Sequence, residues 1–115
     1  MERTLKTWGR KTNLRRDTNS ETSFLEIKPW QRCSWHKHQT KFNLFFVIRG
    51  ILYIKTIDGV AEVLPGGVHT TSPLEFHEFQ TREEGAEIVE IMYVEYDPED
   101  IDRRNIGGPL KHDEE

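Results

Sequence analysis

Alternation between apolar and polar positions runs through most of this chain. Over 22–28, Phe24 and Glu26 fall on one side while Leu25 and Ile27 fall on the other, and Pro29 ends the run. The same period of two predicts strands over 32–38, 51–57, 60–64, 68–72, 75–81 and 86–96, and a short edge strand over 11–15. The segment 43–49 is apolar on both sides, Phe45 and Val47 against Leu44, Phe46 and Ile48. That pattern predicts a strand covered on both faces in the middle of a double layer. Asp58-Gly59 is a hairpin turn, Pro65-Gly66-Gly67 a second turn, and 82–85 a charged turn. Gly50 allows a sharp change of direction. Helical periodicity is almost absent. One helical turn is predicted over 97–104, with Asp97 as its cap and Pro98 in the first position. Short strands with turn signals about every 8–12 residues make the fold class all-β, a sandwich or barrel.

The 115 residues suffice for one compact domain. The pattern divides them into an N-terminal arm with its edge strand (1–21), a barrel (22–96), and a helical turn with an acidic tail (97–115). A formal net charge of −4, from 16 basic and 20 acidic residues, argues against broad nucleic-acid binding. The basic residues Arg3, Lys6, Arg10, Lys11, Arg15 and Arg16 read as a solvated edge segment rather than a phosphate-binding arm. No apolar run approaches the roughly 20 residues that span a bilayer, and the N-terminus lacks the apolar core of a secretory signal. The single cysteine, Cys33, excludes an internal disulfide and suits a cytoplasmic protein. Without a nucleophile signature around it, Cys33 is expected to pack as a small apolar side chain.

The candidate chemistry lies in the histidines. His36 and His38 stand at i and i+2, so a strand there projects both imidazoles from one face, together with Arg32 and Ser34. His77 lies on a second candidate strand, sharing a face with Glu75 and Phe79. Three convergent imidazoles would make a metal pocket. His69 and His112 are expected to be surface or satisfied core groups. The predicted interior holds Arg32, Ser34, His36, His38, Asn43, Phe45, Glu75, His77 and Phe79, aromatic walls with a few polar groups, which suits a small polar ligand. Arg32 could pair with a ligand carboxylate or phosphate, or cap the barrel mouth as a structural ion-pair partner. Tyr53 and Tyr93 could stack on a sugar ring or serve as packing.

His36-Lys37-His38, then Asn43, then Gly50 resembles the first sequence motif of the cupins. Gly59, Pro65, Gly67, Pro73 and His77 resemble the second. The similarity spans roughly 22–96. It implies a double-stranded β-helix, the cupin jelly-roll barrel. It also implies a divalent metal (Mn, Fe, Ni or Zn) held by His36, His38, His77 and the side chain at position 43. Metal-binding cupins carry Glu at that position; here it is Asn43, a neutral donor. Glu75 could make up for the missing carboxylate by binding the metal, orienting a histidine, or acting as a base, or it could sit at the rim in water. Trp8-Gly9-Arg10 and Glu99-Asp100-Ile101-Asp102-Arg103 resemble the two ends of the cupin sugar-phosphate isomerases. Glu90, between Val89 and Ile91, resembles an element of the mannose-6-phosphate isomerase C-terminal domain. These resemblances imply isomerase or epimerase chemistry on a sugar or sugar phosphate, with Glu75 or Glu90 moving the proton and Arg32, Ser34, Phe45 and Phe79 lining the substrate site. The alternative is a non-catalytic ligand-binding cupin with a weakened site. A dioxygenase is less favoured by Asn43. A homodimer is implied, with no nucleic-acid or membrane partner.

Overall fold

A computed structural model describes residues 2–95 and 98–110 of the chain. The described residues form nine strands and no helix. They are β1 (Arg3–Lys6), β2 (Gly9–Arg16), β3 (Ser20–Ile27), β4 (Phe42–Gly50), β5 (Leu52–Thr56), β6 (Gly59–Val63), β7 (Val68–Thr71), β8 (Glu78–Gln80) and β9 (Ala86–Tyr93). Six of them pair in the order β1-β2-β3-β9-β4-β7, and the other three in the order β6-β5-β8. All the pairings are antiparallel. This is the expected all-β double-stranded β-helix.

Register places the inward side chains of the large sheet in rows across the strands. Gly9, Ile27, Ala86 and Gly50 make the first row. Lys11, Leu25, Ile88 and Val47 make the next, then Asn13, Ser23, Glu90, Phe45 and His69, then Glu21, Met92, Asn43 and Thr71. Successive rows therefore pass from apolar to polar along the barrel. Leu52, Ile54, Val63 and Phe79 of the small sheet, with Trp8, complete an apolar core with Leu25, Ile27, Val47 and Ile88. Burying each such side chain contributes about 1.5–3 kcal/mol. Trp8 meets Phe79 edge to face at 5.1 Å, so the Trp-Gly pair near the N-terminus works as a plug at the apolar end. Gly9 cannot carry a side chain there, because a Cβ would run into the Glu26 carbonyl. Gly50, at φ 80°, meets the same constraint from the Gly85 carbonyl.

Several predicted elements differ from those observed. Strand β1 shows no alternation, because all four of its residues are exposed; only its pairing with β2 makes it a strand. The segment 75–81 contracts to β8. Positions 43–49 have one covered face: Phe46 (38% exposed) and Ile48 (46%) point outward. The segment 32–38 is no continuous strand, but touches the small sheet through two isolated bridges, Arg32 to Gln80 and His36 to His77. Four steps on one side oppose three on the other. The extra residue flips the alternation, as a bulge does, and Arg32 faces solvent rather than the interior. Residues 98–104, expected to be helical, form no helix; Asp97, the expected cap, lies outside the described residues, as do Tyr96 and His112. No helix among the described residues is long and apolar enough to cross a membrane.

Candidate metal centre

His36 and His77 face each other across the second bridge, with reciprocal backbone hydrogen bonds: His77 N–H to the His36 carbonyl at 2.8 Å, and His36 N–H to the His77 carbonyl at 3.1 Å. Leu74 N–H donates to the His38 carbonyl at 2.7 Å and ties the other end of the histidine segment. Leu74 does so at φ 67°, a conformation that costs a non-glycine residue of order 1–3 kcal/mol. The bend there takes 72–76 out of strand geometry and delivers His77 to the interior.

The three imidazoles crowd together, with ring centroids 4.5 Å apart for His36 and His77, 5.0 Å for His36 and His38, and 5.6 Å for His38 and His77. One nitrogen from each can be chosen so that all lie within 4.8 Å of one another. Backbone carbonyls hold two of the rings by their other nitrogen. His36 Nδ1–H donates to the Ser34 carbonyl at 2.6 Å, and His77 Nδ1–H donates to the Glu75 carbonyl at 3.0 Å. Such bonds fix the tautomer and leave Nε2 with its lone pair. The Nε2 atoms of His38 and His77 are buried with no protein partner. Burial, with the neighbouring His36, lowers the pKa of both His38 and His77. The shift favours the neutral imidazole in both, the form that binds a metal.

Asn43, on the inner face of β4, is buried. Its Nδ2 donates to Glu90 Oε2 at 3.0 Å, while Oδ1 is buried without a partner. Burial pushes the Glu90 carboxyl up from its ordinary pKa, against the lowering effect of the Asn43 hydrogen bond. Unpaired buried polar atoms are rare in folded proteins and cost about 1–3 kcal/mol each. His77 Nε2 and Asn43 Oδ1 are lone-pair donors, and His38 Nε2 is one in the Nδ1–H tautomer, the chemistry a divalent ion requires. The residues present therefore fit a metal.

The other predicted site residues separate. Ser34 is exposed, yet its carbonyl and hydroxyl both reach His36 Nδ1. Glu75 is half-buried and holds His77 by its backbone carbonyl rather than by its carboxylate. Phe45 is buried between the site and the core, 6.3 Å from both the His77 ring and the Phe79 ring. Phe79 belongs to the core, against Trp8. Arg32 points away from the site. Tyr53 packs under Arg82, and Tyr93 stacks on Phe42. Burial pushes the Cys33 thiol up to about 12, in keeping with a packed rather than nucleophilic role.

Sequence reasoning missed several members of the polar rows. Thr71, opposite Asn43, is buried with an unpartnered hydroxyl. His69, opposite Phe45, is half-buried on the inner face. Glu21 takes an ion pair from Lys11 at 2.9 Å and a hydrogen bond from Arg16 at 3.2 Å. Burial would raise the Glu21 carboxyl, but these two partners outweigh it and hold it at about 2. The signal for all of them was cross-strand register, which one strand's pattern does not carry. A cavity of about 300 Å³ lies at this end, lined by Arg16, Asn19, Glu21, Lys41 and Met92 among others. Neither this cavity nor a larger surface cleft of about 630 Å³ is lined by His36, His38 or His77. The cleft lies by the Gly9–Gly50 row, and its Arg10 and Arg49 are already paired with Glu26 and Glu87.

The sequence matches no protein-family profile and no curated protein. Solved structures do match. KdgF from Halomonas sp. superposes with a TM-score of 0.73 at 8% identity, over 84% of this chain and 90% of that one. A cupin-2 domain protein from Shewanella frigidimarina gives 0.65 at 17% identity, over 76% and 82%. The chain has the cupin fold. A cupin-superfamily sugar phosphate isomerase from Silicibacter pomeroyi gives 0.64 at 14% identity, over 73% of this chain and 58% of the isomerase. The histidine cluster thus sits in a single cupin barrel, between segment 36–38 and the bend before β8.

Proposed function

We propose that this cupin binds a divalent metal through His36, His38 and His77, with Asn43 Oδ1 as a fourth donor, and acts on a sugar or sugar phosphate in an isomerase- or epimerase-like reaction. The observation that carries this reading is the cluster of three imidazoles whose nitrogens lie within 4.8 Å of one another, those of His38 and His77 buried without a protein partner. The sugar phosphate isomerase among the structural neighbours supports the substrate class. A bound Mn, Fe, Ni or Zn ion would polarise a carbonyl or hydroxyl oxygen of the ligand.

The chain's own residues supply the rest. The Ser34 and Glu75 carbonyls orient the imidazoles of His36 and His77. Phe45 walls the site from the core and keeps water off that side. Glu75 is the carboxylate best suited to move a proton, because it is half-buried and its charge acts directly on His77. Lys41 makes no ion pair among the described residues, lies near enough to His38 for its charge to act on that ring, and would receive the anionic group of a phosphorylated ligand. A homodimer belongs to the same proposal: Phe46, Ile48 and Val68 expose apolar surface on the outer face of the large sheet, of the kind that marks association sites.

The experiment is elemental analysis of untagged protein, followed by a screen of aldose, ketose and sugar-phosphate isomerisation. Near-stoichiometric metal with turnover supports the enzyme. No metal even after reconstitution sinks it. Metal and sugar binding without turnover would favour the second reading, a ligand-binding cupin, for which the neutral Asn43 speaks.

A further inference from the structure

We propose that Glu90 is a positioning residue for the metal site: it clamps the amide end of Asn43, so that residue 43 presents its oxygen to the three imidazoles. The proposal rests on reading the imidazole cluster as a metal site. A carboxamide has two ends of nearly equal shape and opposite chemistry, one donating and one accepting. Only its hydrogen-bond partners decide which end faces which way. Glu90 Oε2 accepts from the NH2 end of Asn43, at 3.0 Å. The oxygen end is left buried and unpartnered. Phe45, the next inward residue on β4, packs against the His77 ring, so this face of the strand looks onto the histidines.

Both partners stand on strands. Phe45 is directly opposite Glu90 and Asn43 directly opposite Met92, so Asn43 and Glu90 are diagonal neighbours on the inner face of adjacent strands. Such neighbours lie within reach of long side chains, and the strand backbones leave the pair little room to rearrange. The unpaired oxygen is therefore a standing feature of the fold. The arrangement splits in two what a carboxylate ligand does alone. Asn43 supplies the donor oxygen, and Glu90 supplies a carboxyl group one hydrogen bond behind it.

Metal affinity tests this directly, measured by competition with a chromophoric chelator, using Zn2+ and Co2+ as probes on the full chain. Glu90→Leu removes the acceptor and is expected to weaken binding by about 10–100-fold, the usual loss when a ligand's supporting partner is removed. Glu90→Gln keeps an acceptor oxygen for Asn43 Nδ2 and is expected to lose about tenfold or less. Asn43→Glu alone sets two carboxylates against each other. Combined with Glu90→Gln, whose amide can donate to the new carboxylate, it is expected to bind more tightly than wild type. In the Co2+ protein, Glu90→Leu is expected to change the visible absorption, which a purely structural role would leave alone.

Should Glu90→Leu fail to fold, the comparison of Asn43→Glu with and without Glu90→Gln decides the matter. Equal affinities across the Glu90 variants that fold, in a protein whose wild type binds metal, would overturn this proposal alone. A wild type that binds no metal would overturn the metal reading and this proposal with it.

Discussion

The two ends of the barrel interior follow opposite rules. At the apolar end, Leu25, Ile27, Val47, Leu52, Ile54 and Ile88 are almost wholly removed from water, and Trp8 plugs the opening against Phe79. At the polar end, the fold leaves His38 Nε2, His77 Nε2, Asn43 Oδ1 and Thr71 Oγ1 buried without partners, Asn43 on the same strand β4 that gives Val47 to the core. The first end is complete in itself. The second holds unsatisfied groups whose cost must be offset elsewhere, and close packing at the apolar end offsets it. The difference teaches that one strand can serve both: β4 gives Val47 to the core and Asn43 to the site, two residues either side of Phe45.

The largest expected effect breaks the comparison at the polar end. The double variant His36→Ala, His38→Ala should lose all stoichiometric metal by elemental analysis and remain folded by circular dichroism; retained metal would show that these imidazoles are not ligands. Next comes the apolar end. Leu25→Ala or Ile88→Ala should cost about 2–5 kcal/mol of stability by urea unfolding, with metal affinity per folded molecule unchanged. A cost below about 1 kcal/mol would mean that the core is not tightly packed there.

Metal itself should tie the two ends together by mass action. At a free ion concentration a hundredfold above Kd, wild type should gain about 2.7 kcal/mol. Leu25→Ala should keep that increment, and His77→Ala should lose it.

The smallest effect concerns Glu21, at the edge of the polar rows. Its folded pKa of about 2 lies below the ordinary 4.5. Its contribution to stability is therefore fully present above pH 4.5 and lost as pH falls towards 2. Glu21→Gln should flatten the stability-against-pH curve over that window and little elsewhere. An unchanged slope would show that Lys11 and Arg16 do not hold this carboxylate in solution.

Local pattern carried much of the fold. Alternation placed β3, β5, β6, β7 and the body of β9 to within a few residues, because each keeps one face on the core and the period of two is printed in its side chains; the apolar run 43–49 placed β4. Asp58-Gly59 and Pro65-Gly66-Gly67 announced their turns through backbone freedom. The histidine pair was visible by spacing, and Cys33 by the absence of anything reactive around it. Resemblance to the cupin motifs gave His77 the place of the last ligand and pointed to position 43 as the place where this chain departs.

Tertiary structure decided what depends on partners distant in sequence. Whether 32–38 is a strand turned on its pairing with β8, where one extra residue between two bridges turned Arg32 outward and kept His36 inward. Which part of Glu75 holds the His77 ring turned on the left-handed Leu74, which gave that hydrogen bond to the backbone carbonyl. The exposed outer face of β4 could not be told from a buried one, since an apolar residue looks the same whether or not another layer covers it. The Asn43–Glu90 pair spans 47 positions. The amino acids at its two ends were fixed by the sequence, but only the β4–β9 register set them within a hydrogen bond of each other.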